Sequence, residues 1–301
     1  MATQRAAGQV LIRPRQGLGQ AIAAGRGIMA FARRKPLGAI GAAIFIVLCL
    51  MAILAPVISP HSPYKTNTRA IYAAPSSKYP LGTDQLGRDV LSRLYYGARI
   101  SLLVGVATVG LGIGFGSLLG IVSAQFGGIF DLLVQRLIDA FIAFPAIILG
   151  LTIMAVLGAS VTNVIIALVF VLAPGAVRAV RAQALSVKEL DYILSARAIG
   201  CSSGRIIFRH MLPNCAAVVI VLVTITLGFA IVVEASLSFL GVGIPPKVPS
   251  WGSMLADGAS SVDVAPWLAI MPGVFLAAVV FAVNLLGDAL RDVLDPKLRG
   301  R

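Results

Sequence analysis

Charge is scarce in these 301 residues. Asp, Glu, Lys and Arg make up 12% of the chain, against about 25% in an ordinary soluble domain. Acidic side chains are scarcest, 12 against 25 Lys and Arg, and histidine occurs only twice. His61 and His210 fall in different polar segments, so the two cannot form one metal site. The three cysteines, Cys49, Cys201 and Cys215, are far apart. They have neither zinc spacing nor the pattern of a disulfide framework. There is no serine, histidine and acid set for nucleophilic hydrolysis, and no convergent polar cluster at one depth of an apolar run. No G-x-x-x-x-G-K-[ST] string occurs, so the chain has no phosphate-binding loop of that type. Basic and aromatic residues do not interleave, which removes the usual nucleic-acid reading of the net charge of +13.

What is present is apolar: 58% of residues are hydrophobic and mean hydropathy is +0.93. Basic residues then read as the cytoplasmic flanks of a membrane protein. The first 36 residues hold seven basic side chains and no acidic one, ending in Arg33, Arg34 and Lys35. Residues 18–31 fit either a short interfacial helix or a disordered stretch. The apolar run that follows is too long for a signal-peptide core and is an anchor in its own right.

Long apolar runs predict six spans, each with at least about the number of residues a helix needs to cross the hydrocarbon core. They fall at 36–59, 101–130, 132–157, about 160–177, 216–237 and 266–286. The division expected is a cytoplasmic segment 1–35, a first span 36–59, an outer loop 60–100, a core of five spans 101–288 and a cytoplasmic tail 289–301. That core contains a polar loop at 181–214 and an outer loop at 241–266. Six spans put both termini inside. Seventeen basic residues then lie on inner segments and seven on the two large outer loops, as the positive-inside rule requires. Six of those seven sit in the first outer loop, which fits that rule poorly.

Several features inside the spans carry alternatives. Gly112, Gly116 and Gly120 recur every four residues, giving either a close helix–helix face or the general glycine enrichment of membrane helices. Arg136 and Asp139 are three apart, suited to a local ion pair or to lining an inner gate. Phe144 and Pro145 predict a kink, and Pro174 a bend or an end of its helix. Glu234, the one acid in the fifth span, suits either packing or contact with a cationic substrate group. Asp89 and Arg93 predict a pair across a short helix, Trp251 and Trp267 mark a membrane interface, and Lys247 and Asp257 read as solvated.

The organising stretch is Arg178–Asn214, the one long polar segment of the second half. Ser186-x-x-Glu189 matches a capping box. Leu190, Ile193, Leu194 and Ala196 give the following helix an apolar side, and Gly200 breaks the pattern. Ile206, Ile207, Phe208 and Met211 then form a second short helix that Pro213 is expected to end. Two short amphipathic helices between spans make a docking element.

This stretch resembles the cytoplasmic signature of the permease subunits of binding-protein-dependent ABC importers, in the dipeptide, oligopeptide and nickel branch. That signature is roughly E-A-A, three residues, G, then a run ending in Leu-Pro. Leu194, Ser195, Ala196, Gly200, Leu212 and Pro213 occupy its positions, with leucine and serine where the family has glutamate and alanine. YPLGTDQLGRDVLSRLYYGARISL at 79–102 resembles the string that precedes the second span in that branch. Ser238–Gly243, SFLGVG after Glu234, and the close NLLGDALRDVLDPKLRG at 284–300 are similar as well. The likeness covers nearly everything after residue 30.

The resemblance implies an all-α polytopic protein with six transmembrane helices in the type I importer fold. It implies a coupling helix seated in a groove of an ATPase subunit, with Glu189, Tyr192, Leu194, Ser195, Ala196, Gly200, Arg205, Leu212 and Pro213 at that contact. Asp139 and Glu234 become pore or gate candidates, and the 79–102 string either contacts a binding protein or packs as a scaffold. The partners implied are a homologous permease, two ABC ATPases, a periplasmic solute-binding protein and the lipid bilayer of the inner membrane, with no nucleic acid. The chain itself would bind no cofactor or metal and catalyse nothing, while ATP and Mg would bind the ATPase subunits. Closure of those subunits would move 186–213 and open the path inward. The cargo expected is di- or oligopeptides, with nickel or glutathione as alternatives. An ion-coupled secondary transporter is the competing class, for which no convincing inverted repeat is seen.

Overall fold

A computed structural model describes residue 33 and residues 35–294. The expectations for 1–32 and for the last seven residues lie outside that range. Among the described residues the chain is helical, with one isolated β-bridge between Thr83 and Asp89.

The first helix, α1, is Pro36–Ile58. Proline fits its first turn because no intrahelical partner awaits that missing N–H. A short 3-10 turn, Thr68–Ala70, lies in the segment that follows. Helix α2 is Val90–Phe126, about 55 Å long at 1.5 Å per residue. The short helix expected before the second span is therefore the first turns of that span. Asp89 caps it by accepting from the Ser92 amide at 3.2 Å. It does not pair with the Arg93 side chain.

Helices α3 (Gly128–Ile142) and α4 (Ala146–Leu157) meet at a bend of 93°. The expected kink at Phe144-Pro145 is thus a full break. Pro145 has an extended backbone (ψ 134°), and proline also disfavours helix at the residue before it. At twelve residues α4 is only about 18 Å long, too short to cross a bilayer alone. Among the described residues five helices are long and apolar enough to span, or six when the bent pair is taken as one span.

Helix α5 is Val161–Lys188, with Ser160 as its N-cap. Pro174 lies inside it and does not end it. Ser186 consequently sits in its last turn, bonded back to the Ala182 carbonyl at 3.4 Å. The expected capping box at Ser186 does not form, because the preceding span carries on through it. Helix α6 is Asp191–Ala198. Helix α7, Ser203–Phe239, contains a π-helical stretch, Ile206–Met211. Its widened turns end just before Leu212-Pro213, so the proline is accommodated and the helix runs on. Helix α8 is Trp251–Ala259, opened by a Ser250/Ser253 capping box, and α9 is Trp267–Leu294.

The bundle is built on the contact of α2 with α5. A Cβ at Gly116 would lie 2.7 Å from the Ala173 carbonyl oxygen, and one at Gly120 2.6 Å from that of Val177. Only hydrogen fits there, so the backbones touch. A Cβ at Gly112 would make ordinary contact, 3.6 Å from Leu172.

Two apolar cores define the ends. Running from the start of α2 past its middle, Leu94, Ile113, Ile231 and Trp251 belong to one core. Trp251 is fully buried, its indole N–H donating to the Leu94 carbonyl at 3.2 Å, so it is no interface marker. Near the end of α2, Ile121, Val180, Ile193, Ile206 and Met211 form another. Its position decides how α6 sits.

Candidate functional site

Helix α6 is too short to be stable alone, and its placement comes from what it buries. Ile193 and Ala196, three apart and on one face, are turned into the α5–α7 core. Gly200 ends the helix with φ +82°. The Cys201 amide donates to the Ala196 carbonyl at 3.0 Å and the Gly200 amide to that of Arg197 at 2.9 Å. These are the two bonds of a Schellman motif, which needs a left-handed residue where glycine stands. Gly200 is therefore a helix stop, and a Cβ there would meet nothing within 4 Å among the described residues.

Polar links tie α6 to the ends of two long helices. Arg197 donates to the Gln125 side-chain oxygen at 3.1 Å. Lys188 donates to the Ala124 and Gln125 carbonyls at 2.7 and 3.1 Å, covering the open C-terminal end of α2. Arg181 on α5 forks onto Asp131 on α3 (Nε 2.6 Å, Nη2 2.5 Å), and Ser123 on α2 donates to the same carboxylate. Asn214 donates to the Tyr192 hydroxyl at 2.9 Å. The end of α2, the end of α5 and α6 thus form one connected unit.

The outer surface of that unit is apolar. Leu190, Tyr192, Leu194 and Phe208 are exposed, and Ile199 is 81% exposed. The four apolar residues predicted for one side of α6 therefore divide, Ile193 and Ala196 inward, Leu190 and Leu194 outward. Glu189, Ser195, Arg205, Gly200 and Pro213 are exposed around them, and Leu212 is half-buried. Ala196 faces inward and does not belong to the exposed surface. Sequence reasoning missed Ile199, although an apolar residue directly before a helix-stop glycine was a readable signal. The Arg197–Gln125 link had no sequence signal, since 72 positions separate the two.

The remaining candidates lie elsewhere. Asp139 is exposed and pairs with Arg178 on α5, not with Arg136. Glu234 is fully buried, accepting from the Ser238 hydroxyl at 2.9 Å, and that hydroxyl accepts from the Ile244 amide at 3.2 Å. Its carboxylate holds the α7 exit turn through Ser238.

At the far end of α2 a second polar cluster was not foreseen. Asp84 accepts from Arg88 Nε at 2.6 Å, and Arg93 Nε lies 3.5 Å from it. Asp257 on α8 stands 3.7 Å from Arg88 and 3.9 Å from Arg93, and accepts from Gln85 at 3.2 Å. Asp257 is thus part of a half-buried staple, not a solvated residue. Burial pushes its carboxyl above the usual range, and the two arginines oppose the shift.

A bundle of long apolar helices with a short, externally apolar helix pinned across its end is the architecture of a polytopic membrane protein. Residues 112–300 match the family described as binding-protein-dependent transport system inner membrane component, and 30–75 match the N-terminal transmembrane domain of oligopeptide transport permease C. The chain belongs to this family of permeases and is a multi-pass inner-membrane protein. It is 40% identical to the dipeptide transport system permease protein DppC of Alkalihalophilus pseudofirmus, over 89% of this chain and 88% of that one. It is 38% identical to the di/tripeptide transport system permease protein DppC of Pseudomonas aeruginosa (89% and 90%). It is 40% identical to the glutathione transport system permease protein GsiD of Escherichia coli (89% and 89%). In fold it is similar to a chain of the MetNI methionine ABC transporter, at TM-score 0.53 and 19% identity, over 68% of this chain and 96% of that chain.

Proposed function

We propose that this chain is one of two permease subunits of an ABC importer for small peptides, driven by ATPase subunits that dock on α6. The observation that carries the proposal is the divided surface of α6. Its inner residues, Ile193 and Ala196, are anchored in the bundle, and its outer residues, Leu190, Leu194 and Ile199, are exposed among the described residues. An uncovered apolar patch on the polar end of a membrane bundle is costly unless a partner buries it. The Arg197–Gln125 and Lys188–α2 links then give docking at α6 a mechanical route into α2 and α5. Movement of α6 would be passed to the two helices that meet at Gly116 and Gly120.

In this reading the termini and α6 are cytoplasmic, and 59–89 together with α8 are periplasmic, where a solute-binding protein delivers cargo. ATP and Mg are held by the partner ATPases. Peptide is favoured as cargo because relatives named for dipeptides, tripeptides and glutathione share this chain nearly end to end, and glutathione is itself a small peptide. Family membership also makes an ion-coupled carrier unnecessary.

The test is to express the chain with its neighbouring transport subunits, purify by a tag on this chain and reconstitute the complex. ATPase subunits should co-purify, and a dipeptide-loaded binding protein should raise ATP hydrolysis. Purification of the chain with no ATPase attached would contradict the proposal.

A further inference from the structure

Helix α8 stands between α7 and α9, where a short helix joining two spans would suit a lid. Gly241 ahead of it has φ +80°, and Pro245, Pro246 and Pro249 follow. The connection from α7 therefore has the turn residues of a hinge. The contacts of α8 argue the other way. Trp251, Gly252, Ser253, Met254 and Gly258 are buried, whereas a segment that opens readily makes few buried contacts.

Three spans and the segment before α2 hold α8. The Trp251 amide donates to the Ser101 hydroxyl at 3.3 Å, and its indole N–H donates to the Leu94 carbonyl at 3.2 Å. Those acceptors lie about two turns apart on α2, so the tryptophan is keyed to that helix at two heights. On α7, a Cβ at Gly252 would lie 2.5 Å from the Ala235 carbonyl oxygen. On α9, a Cβ at Gly258 would lie 2.4 Å from the Ala269 amide nitrogen. Both spans thus touch the α8 backbone directly. Gln85, Arg88 and Arg93 reach Asp257, and Tyr72 shares a hydrogen bond with Ser261 at 2.8 Å. A swing of α8 would uncover Trp251 and draw Asp257 away from two buried guanidinium groups, both costly changes. Close-packed contacts of this kind move as blocks and do not deform smoothly. Helices α1, α5, α7 and α9 each contain a proline, and α2 contains none, which leaves it without the commonest cause of a kink.

From these contacts we infer that α8 is a fixed wedge that travels with the outer half of α2 as one rigid body, and that a hinge movement of α8 does not control access from outside. The inference rests on the importer reading and adds to it which part of the outer face stays together. The outer mouth then changes through displacement of the whole α2–α8 body. At its other end α2 is joined to α6 by the Arg197–Gln125 bond, so a push on α6 reaches α8 through one unbroken helix.

The experiment uses the reconstituted complex, with Cys49, Cys201 and Cys215 of this chain replaced by alanine. Gln85→Cys/Asp257→Cys is bridged by a short bis-methanethiosulfonate reagent, which reductant removes. Bridged complex should keep dipeptide uptake within about twofold of the unbridged variant. Loss of uptake on bridging, with ATPase still bound and uptake restored by reductant, overturns the inference and leaves the importer reading standing. A second measurement does not depend on that variant. Leu103→Cys on α2 and Ser260→Cys after α8, both exposed positions, carry spin labels, and their separation is measured without nucleotide and with ATP and vanadate. One unchanged distance is expected. A shift of several ångström, or a second distance that appears with nucleotide, overturns the inference. Should the bridged pair be inactive before bridging, the spin-label distances decide. Complex that retains no ATPase overturns the importer reading and the inference with it.

Discussion

Arg197 in the last turn of α6 reaches Gln125 in the last turn of α2, at 3.1 Å. This bond joins the element proposed to touch the ATPase to the longest helix of the bundle. A charged hydrogen bond of this kind contributes about 1.5–3 kcal/mol. Arg197→Ala should leave the permease folded and ATPase subunits attached, because the exposed apolar residues are untouched. Stimulation of hydrolysis by loaded binding protein should fall several-fold. Unchanged stimulation would mean that the link transmits nothing.

Gly200 gives a second, sharper contrast. Its φ of +82° suits glycine and tolerates asparagine, whereas a β-branched side chain is strained there. Gly200→Val should cost about 1–3 kcal/mol locally and fray the end of α6, lowering uptake while membrane insertion persists. Gly200→Asn should restore most of it. Equal uptake by Val and Asn variants would remove the helix stop from the account.

The glycine contact between α2 and α5 predicts a pair of outcomes. A Leu side chain at Gly116 would drive into the Ala173 backbone, so Gly116→Leu should cost about 1–3 kcal/mol and reduce folded yield. Among the described residues a Cβ at Gly114 meets nothing within 4 Å, and Gly114→Leu should change stability by less than about 0.5 kcal/mol. Detergent-solubilised yield and thermal unfolding measure both. Similar losses at the two positions would contradict the packing described.

Asp257 predicts a pH dependence. Its carboxyl is raised in the folded protein by burial, so the folded state holds this proton more tightly than the unfolded state. The group therefore favours the fold at low pH, and that contribution is lost as pH rises from about 4 through the raised value. Asp257→Asn cannot titrate. Between about pH 4 and about pH 8, wild type should lose thermal stability relative to Asp257→Asn, with the gap constant at the top of the range. Parallel curves, or a gap of opposite slope, would show that the arginines outweigh burial.

Much of the fold was legible because lipid imposes long uncharged runs. Pro36–Ile58 emerged within one residue of its expected end. Helix ends were not legible where a span continues into polar sequence. Ser186-x-x-Glu189 has the right letters for a cap, but local sequence does not reveal that α5 still has bundle contacts to make at Val187. Pro213 reads as a helix stop, and the π-helical turns that absorb it have no comparable signature. Ion pairs were misassigned to near neighbours, Arg136–Asp139 and Asp89–Arg93, because the true partners Arg178, Asp84 and Asp257 come together only in the tertiary structure. At the proposed docking surface, the composition of α6 was readable, but which apolar residues point outward depends on the core beneath Ile193.

The most direct test concerns that outward face. Leu194→Arg/Ile199→Arg places two charges on exposed positions of the α6 surface and leaves the buried Ile193 and Ala196 untouched. The measurement is ATP-driven dipeptide uptake into proteoliposomes, with permease content and bound ATPase quantified in the same vesicles. The account predicts normal permease content, loss of bound ATPase and uptake reduced to background. Full uptake with ATPase retained at wild-type levels would contradict docking at α6.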